Sequence, residues 1–264
     1  MLQSMESQKV RHHVKNSNMQ TYSYSYPITL GDIDTNYTLT INAILCYFQD
    51  TISRFLATGH VAPFDIKKQN LIWMITEFYA SLQERKPLWS ENIRVEVWIS
   101  ELSPIKVFVD FTMKDDKNVV FAKGTSTWLL VDVQTRKPYP CHNLENLVKL
   151  HDEHDAIRHT KIRMEKGTTE LNTISHNVSP VEIDFNGHTN NQNYVRLVVS
   201  LVPSHFIESH NLVDFHIKYA QETFLGDKLI ATLQEYGETC LSCDIRKATD
   251  QSLVCEISSH WEHR

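Results

Sequence analysis

The chain has no apolar run near the roughly 18 residues that a membrane-spanning helix needs, so no membrane span is expected. Charge of one sign is also missing. Lysine and arginine number 26 against 32 aspartates and glutamates, a net charge of −6 mixed along the chain. A general nucleic-acid binder needs a basic surface, and this composition does not supply one. Cysteine is sparse and odd in number, with five at positions 46, 141, 240, 243 and 255. That fits reduced thiols in the cytoplasm better than a disulfide framework. Cys240 and Cys243 form one C-x-x-C with no second pair and no ordered histidine spacing, so neither metal nor cofactor is expected. Residues 1–20 lack the apolar stretch of a secretory signal and read as a flexible tail, with Met5 an alternative start.

What is present is periodicity. Ile41, Ile44, Leu45, Phe48, Ile52, Phe55 and Leu56 follow one apolar face of a helix. Tyr194, Leu197, Val198, Leu201 and Val202 do the same until Pro203. Elsewhere apolar residues alternate as in strands: Ile93 to Ile99, Val107 to Met113, and Leu229, Ala231 and Leu233. These elements recur in order. Asp34 and Asn36 precede the first helix, and Asp184 and Asn186 precede the second, 150 residues on. The strand at Ile93 recurs at Leu229, and that from Phe121 to Trp128 recurs from Val254 to Trp261. Three matches in one order indicate duplication of a single unit of about 110 residues. One helix followed by antiparallel strands fits a sheet curved around a helix. The boundaries read as a unit at 21–140, a charged and partly helical connector at 141–176, and a second unit at 177–264.

The densest cluster of chemistry is Asp184, Asn186, His188, Asn190 and Asn191, just before the second helix. Aspartate, asparagine and threonine suit a turn and a helix cap. His188 adds a titratable base beside free backbone N–H groups, a pairing suited to hydrolysis of a carbonyl compound. Thr38 occupies the corresponding position of the first half, which therefore lacks the base. One active site per chain is expected, with Asp184 and Asn186 partly engaged in building the turn.

This layout resembles the tandem hotdog fold of the acyl-acyl-carrier-protein thioesterases, in which two long helices are each wrapped by a curved antiparallel sheet. The family loop, roughly Asp-x-Asn-x-His-Val-Asn-Asn followed by tyrosine, is similar to the stretch from Asp184 to Tyr194. A later family motif, Tyr-Arg-Arg-Glu-Cys, is similar to the stretch from Tyr219 through Glu222 to Thr223. The likeness spans about residues 22–262. Two departures matter: Thr189 stands for valine and Thr223 for a cysteine. Threonine supplies no thiolate, which excludes a Cys–His mechanism at that position.

The resemblance implies hydrolysis of fatty acyl thioesters of acyl carrier protein, with the first unit holding the acyl chain. Water would be activated by His188 or Glu222, Asp184 would orient the loop, and Asn186 would position water or substrate. Backbone donors from Asn190 to Asn193 would hold the oxyanion, with Asn190, Asn191 and Tyr194 positioning the substrate. Strict alternation from Phe215, Ile217 and Tyr219 puts Glu222 on the wrong face, so a bulge near 220–222 or an early strand end is required, with Gln221 as the alternative. Trp73, Met74, Phe78 and Trp89 are candidates to set chain length. An acidic carrier protein needs a basic patch. Arg158, Lys161, Arg163 and Lys166 in the connector, with Arg196 on the second helix, are the candidates. Rival readings are a coenzyme A thioesterase on the same fold, a non-catalytic acyl-binding protein, and a hydratase. Two fused units take the place of the usual dimer, and a homodimer of whole chains is a further arrangement.

Overall fold

A computed structural model describes residues 21–84, 86–141 and 164–264. The N-terminal tail and the helical stretch expected at 144–154 lie outside these residues. The first half runs β1 (Tyr22–Pro27), α1 (Ile41–Thr58), α2 (Pro63–Lys67), β2 (Leu71–Leu82), β3 (Asn92–Leu102), β4 (Lys106–Asp115) and β5 (Val120–Asp132). The second runs β6 (Thr169–Asn177), α3 (Asn191–Val199), α4 (Ser204–Ser209), β7 (His210–Tyr219), β8 (Lys228–Glu235), β9 (Cys240–Lys247) and β10 (Leu253–His263). All ten strands form one antiparallel sheet in the order β1-β3-β4-β5-β2-β7-β10-β9-β8-β6.

That order contains the repeat. From either edge inward, each half places its first, third, fourth, fifth and second strands in the same sequence. The halves meet where β2 pairs with β7, from Glu77 opposite Lys218 to Ser81 opposite Asp214. Buried His216 bonds Glu77 across this seam, Nε2 to Oε1 at 2.6 Å. Smaller details repeat too. Trp128 Nε1 donates to Ser126 Oγ at 2.8 Å, and Trp261 Nε1 donates to Ser259 Oγ at 2.9 Å. The chain is a tandem hotdog.

Helix α1 forms where its apolar stripe predicts, capped by Thr40, whose hydroxyl accepts from Ala43 N at 3.1 Å. All seven stripe residues named from the sequence are buried. Phe48 sits at the centre, 4.8 Å from the Phe111 ring and 5.5 Å from Phe78. Each such side chain contributes on the order of 2 kcal/mol by leaving water. The three rings close up because β5 carries Gly124 beneath them. A Cβ there would lie 2.0 Å from Tyr79 O and 2.6 Å from the Phe111 ring.

Helix α3 has 9 residues where α1 has 18, so only the first of the two expected helices is long. The cause is Pro203, whose ring would collide with the carbonyl of Val199, the last residue of α3. The second unit also starts earlier than expected. Strand β6 occupies residues assigned to the connector and pairs with β8 as β1 pairs with β3. It is an edge strand, exposed along most of its length, so it carries no apolar alternation to read.

Candidate active site

The loop before α3 is built by Asp184. Its Oδ1 accepts from Asn186 N at 2.8 Å and from His188 N at 3.3 Å, while its own N–H donates to His188 O at 2.8 Å. Gly187 takes the left-handed conformation the turn needs, φ +84°. Asp34 builds the same loop in the first half, accepting from Asn36 N at 2.9 Å and Thr38 N at 3.1 Å. The Thr38 hydroxyl also folds back onto Asp34. His188 does not. Its imidazole turns away, and Nδ1 lies 3.2 Å from Glu222 Oε1. The pair is close but poorly aligned for a hydrogen bond, so Oε1 remains buried with no aligned donor.

Glu222 reaches His188 because β7 loses its alternation at its end. The consecutive amides of Ala220 and Gln221 both donate to Val254 O, at 2.8 and 3.2 Å. Two residues on one carbonyl make a bulge, and the side chains beyond it exchange faces. Gln221 also borders the cavity, but its carboxamide is engaged, Nε2 donating to Ser252 Oγ at 2.6 Å. The second oxygen of Glu222 is ion-paired with Arg136, which reaches across from the turn after β5. Arg136 belongs to no motif of the sequence. Phe224 packs edge-on against the His188 ring at 5.2 Å and was missed as well.

At the start of α3, backbone donors are mostly used internally. Asn190 N donates to Glu182 O, Gln192 N to Asn190 Oδ1 and Asn193 N to Asn190 O. Among the described residues, the Asn191 amide is the donor of this turn without a protein acceptor. Asn190 is therefore the cap, and the broader stretch of donors expected from 190 to 193 narrows to one. Tyr194 is buried, and its hydroxyl meets Thr223 Oγ1 at 2.8 Å. Burial pushes it up to about 12, and it pushes the fully buried Tyr219 well above its usual value. Both phenols therefore stay protonated near neutrality.

Asp184, Asn186, His188, Asn191, Tyr194 and Glu222 converge on one cavity of about 200 Å³. Its opposite wall is β2, including Trp73 and Met74, with Leu129 of β5, so both halves line it. A smaller space of about 150 Å³ shares Trp73, Asp184, Asn186 and Asn191 and extends toward Gln49 and Ser53 of α1. Phe78 belongs instead to the core, and Trp89 is exposed. Of the expected basic patch, Arg158, Lys161 and Arg163 lie outside the described residues. Lys166 pairs with Glu256 at 3.6 Å and Arg196 borders a different cavity, so neither adjoins His188. Lys67 is nearer, donating to Phe185 O at 2.6 Å. The five cysteines are free thiols. Burial raises Cys46 to about 11 and Cys243 to about 12. Among the described residues no cluster of histidine, cysteine and carboxylate side chains is arranged to hold a metal ion, and no helix is long and apolar enough to cross a membrane.

A duplicated hotdog in which one of two equivalent loops sets a histidine against a carboxylate beyond β7 defines the class. The chain matches the acyl-ACP thioesterase N-terminal domain over residues 19–146 and the acyl-ACP thioesterase C-terminal domain over residues 165–263, and belongs to that family. It is 22% identical over 228 residues to a chloroplastic palmitoyl-acyl carrier protein thioesterase of Gossypium hirsutum, covering 76% of this chain and 52% of that one. It is 20% identical to oleoyl-acyl carrier protein thioesterase 1 of Arabidopsis thaliana, covering 83% of this chain and 66% of the relative. The chain thus spans between about half and two thirds of the curated relatives it matches. Among solved structures, an acyl-ACP thioesterase from Bacteroides thetaiotaomicron superposes with a TM-score of 0.81 at 18% identity, covering 92% of this chain and 98% of that one. The 12:0-ACP thioesterase from Umbellularia californica gives 0.78 at 19%, with the same coverages.

Proposed function

We propose that this protein hydrolyses fatty acyl thioesters of acyl carrier protein to a free fatty acid and the carrier thiol. The observation that carries the reading is the chain of contacts Arg136–Glu222–His188 at the wall of a cavity shared by both halves. Arg136 holds one oxygen of Glu222, and the other faces His188 Nδ1. That arrangement orients the imidazole and leaves Nε2 to act on water, the tautomer being inferred from the partners. Water attacks the thioester carbonyl carbon while His188 takes its proton. The Asn191 amide at the N-terminus of α3 stabilises the oxyanion. Collapse of the intermediate breaks the C–S bond, and the departing thiolate recovers the proton from His188. Asp184 keeps the loop in shape, and Asn186, whose carboxamide faces the cavity, positions water or the carbonyl.

The acyl chain is assigned to the space between β2 and α1, where Trp73 and Met74 line the way toward Gln49 and Ser53. Exposed Phe64, Phe185 and Phe224 surround the catalytic loop. Lys67 lies 5.3 Å from the Phe185 ring and Lys247 lies 5.8 Å from the Phe224 ring. An apolar rim with cations fits an acidic carrier protein. Five free thiols fit a reducing compartment, and the cytoplasm is the location that goes with this reading.

The test is release of fatty acid from acyl-carrier-protein thioesters of graded chain length, with the matching coenzyme A thioesters assayed beside them. Replacing His188 with alanine should reduce turnover at least about a hundredfold, the lower range for a positioned acid–base group. Near-wild-type turnover in a folded His188→Ala protein would remove His188 from the chemistry. Equal or better use of coenzyme A thioesters would remove the carrier protein from the assignment.

A further inference from the structure

Duplication creates a second copy of the catalytic cavity, and in this chain that copy is still open. Its volume is about 370 Å³, within the range of about 300 to 1,000 Å³ usual for small-molecule sites. Equivalent places in the fold line the two cavities. Asp34 stands for Asp184 and Ile41 for Asn191. Leu82 stands for Tyr219, since Leu82 pairs with Ala122 of β5 as Tyr219 pairs with Cys255 of β10.

The chemistry of the second cavity differs. Thr38 replaces the loop histidine and its hydroxyl is turned onto Asp34, so the loop offers no counterpart of His188. Three cations border it instead: Lys86, which is half-buried, and Arg196 and Arg264, exposed at its rim. Neither Lys86 nor the Arg196 guanidinium has an acidic partner among the described residues, and Asp34 is held by its own turn. Burial, opposed by Asp34 and aided by Arg264, pushes Lys86 down to about 8, the response of an ammonium on an apolar wall without a bound counter-charge. The floor is apolar, with Leu39, Ile41 and Leu212 buried.

Two polar groups also have unmet capacity. His210 is 7% exposed and lines this cavity. Its Nδ1 meets Ser209 Oγ at 2.9 Å and Phe206 O at 3.1 Å, whereas buried Nε2 has no partner. Asn42, on the opposite wall, has a buried Oδ1 without one.

We propose that this twin cavity is a second, non-hydrolytic binding site for an aliphatic chain with a carboxylate head, the head on Lys86 and Arg196 and the tail on the apolar floor. A carboxylate supplies the acceptor that these cations lack, and a neutral head does not. The site does not depend on the hydrolytic reading, because its ligand carries no thioester.

The experiment uses a ten-carbon fatty acid bearing a chain diazirine, photolysed with the full chain and mapped by mass spectrometry. Label is expected on peptides holding Leu39 to Asn42 and His210 to Leu212. The corresponding alcohol should label them about tenfold less, the loss of one charge-assisted contact. Lys86→Met and Arg196→Met should each reduce the twin-cavity label comparably, without reducing label near Trp73 in the catalytic cavity. Melting curves confirm that both variants are folded. Label confined to the catalytic cavity overturns the proposal, as does equal labelling by acid and alcohol or by wild type and both variants. Hydrolysis, measured separately on acyl thioesters, stands or falls on its own.

Discussion

The hydroxyls of Thr189 and Thr223, 34 residues apart in the chain, meet at 2.6 Å inside the C-terminal unit. Both positions depart from the family pattern, and these two departures are one interaction. Thr189 N also donates to Thr223 O at 2.9 Å, and Tyr194 joins through its hydroxyl. Thr223 is therefore a fully buried anchor tying the loop that holds His188 to the segment that carries Glu222. Thr189→Val and Thr223→Val should each destabilise the fold by about 1 to 2 kcal/mol, because each strands a buried polar partner. The double variant should cost less than the sum, with a coupling of about 1 kcal/mol in urea unfolding. Simple additivity would mean that the hydroxyls do not act together.

Arg136 is expected to be a positioning residue. It touches Glu222, not the cavity, and Glu222 in turn faces His188. Arg136→Ala should lower kcat on carrier-protein thioester about tenfold with KM little changed, the mark of an interaction made in the transition state. Arg136→Lys should restore only part, since lysine cannot match the planar fork of the guanidinium. A change confined to KM would move Arg136 to substrate docking.

Lys86 gives a pH-dependent prediction with a definite sign. Its folded value of about 8 lies below the ordinary 10.5, so between these limits the unfolded chain binds more protons. Stability therefore rises with pH across that window, and at pH 7 the buried charge is a full liability. Lys86→Met should raise the melting temperature at pH 7, and the advantage should shrink as pH climbs past about 8. An advantage independent of pH would point to improved packing.

Gly124→Ala should destabilise by about 3 kcal/mol or more, because the added methyl meets the backbone oxygen of Tyr79 and the Phe111 ring together. Calorimetry would read this as a large drop in melting temperature. A mild effect would require the β2–β5 pairing to move apart at that point.

The repeat was legible because Ile93, Val95 and Val97 alternate with polar residues as Leu229, Ala231 and Leu233 do, and one buried face writes that pattern. The same logic hid β6, whose polar residues face solvent along an edge. Glu222 could be placed only conditionally, because two amides sharing Val254 O reverse a side chain without altering the local pattern. Arg136 gave no signal, since an ion pair between turns 86 residues apart has no spacing to read. The short α3 was available in principle: a proline at 203 sets the last helical residue at 199, but the apolar stripe continuing to Val202 obscured it.

The β2–β7 seam makes one sheet from two ancestral units within a single polypeptide. In an assembly of identical subunits, every substitution appears at both sites together, so losing a base from one means losing it from the other. Covalent fusion lifts that constraint. Position 188 and position 38 are free to be inherited separately, and the molecule can hold a reactive centre and an unreactive one while retaining the symmetric frame that supports both.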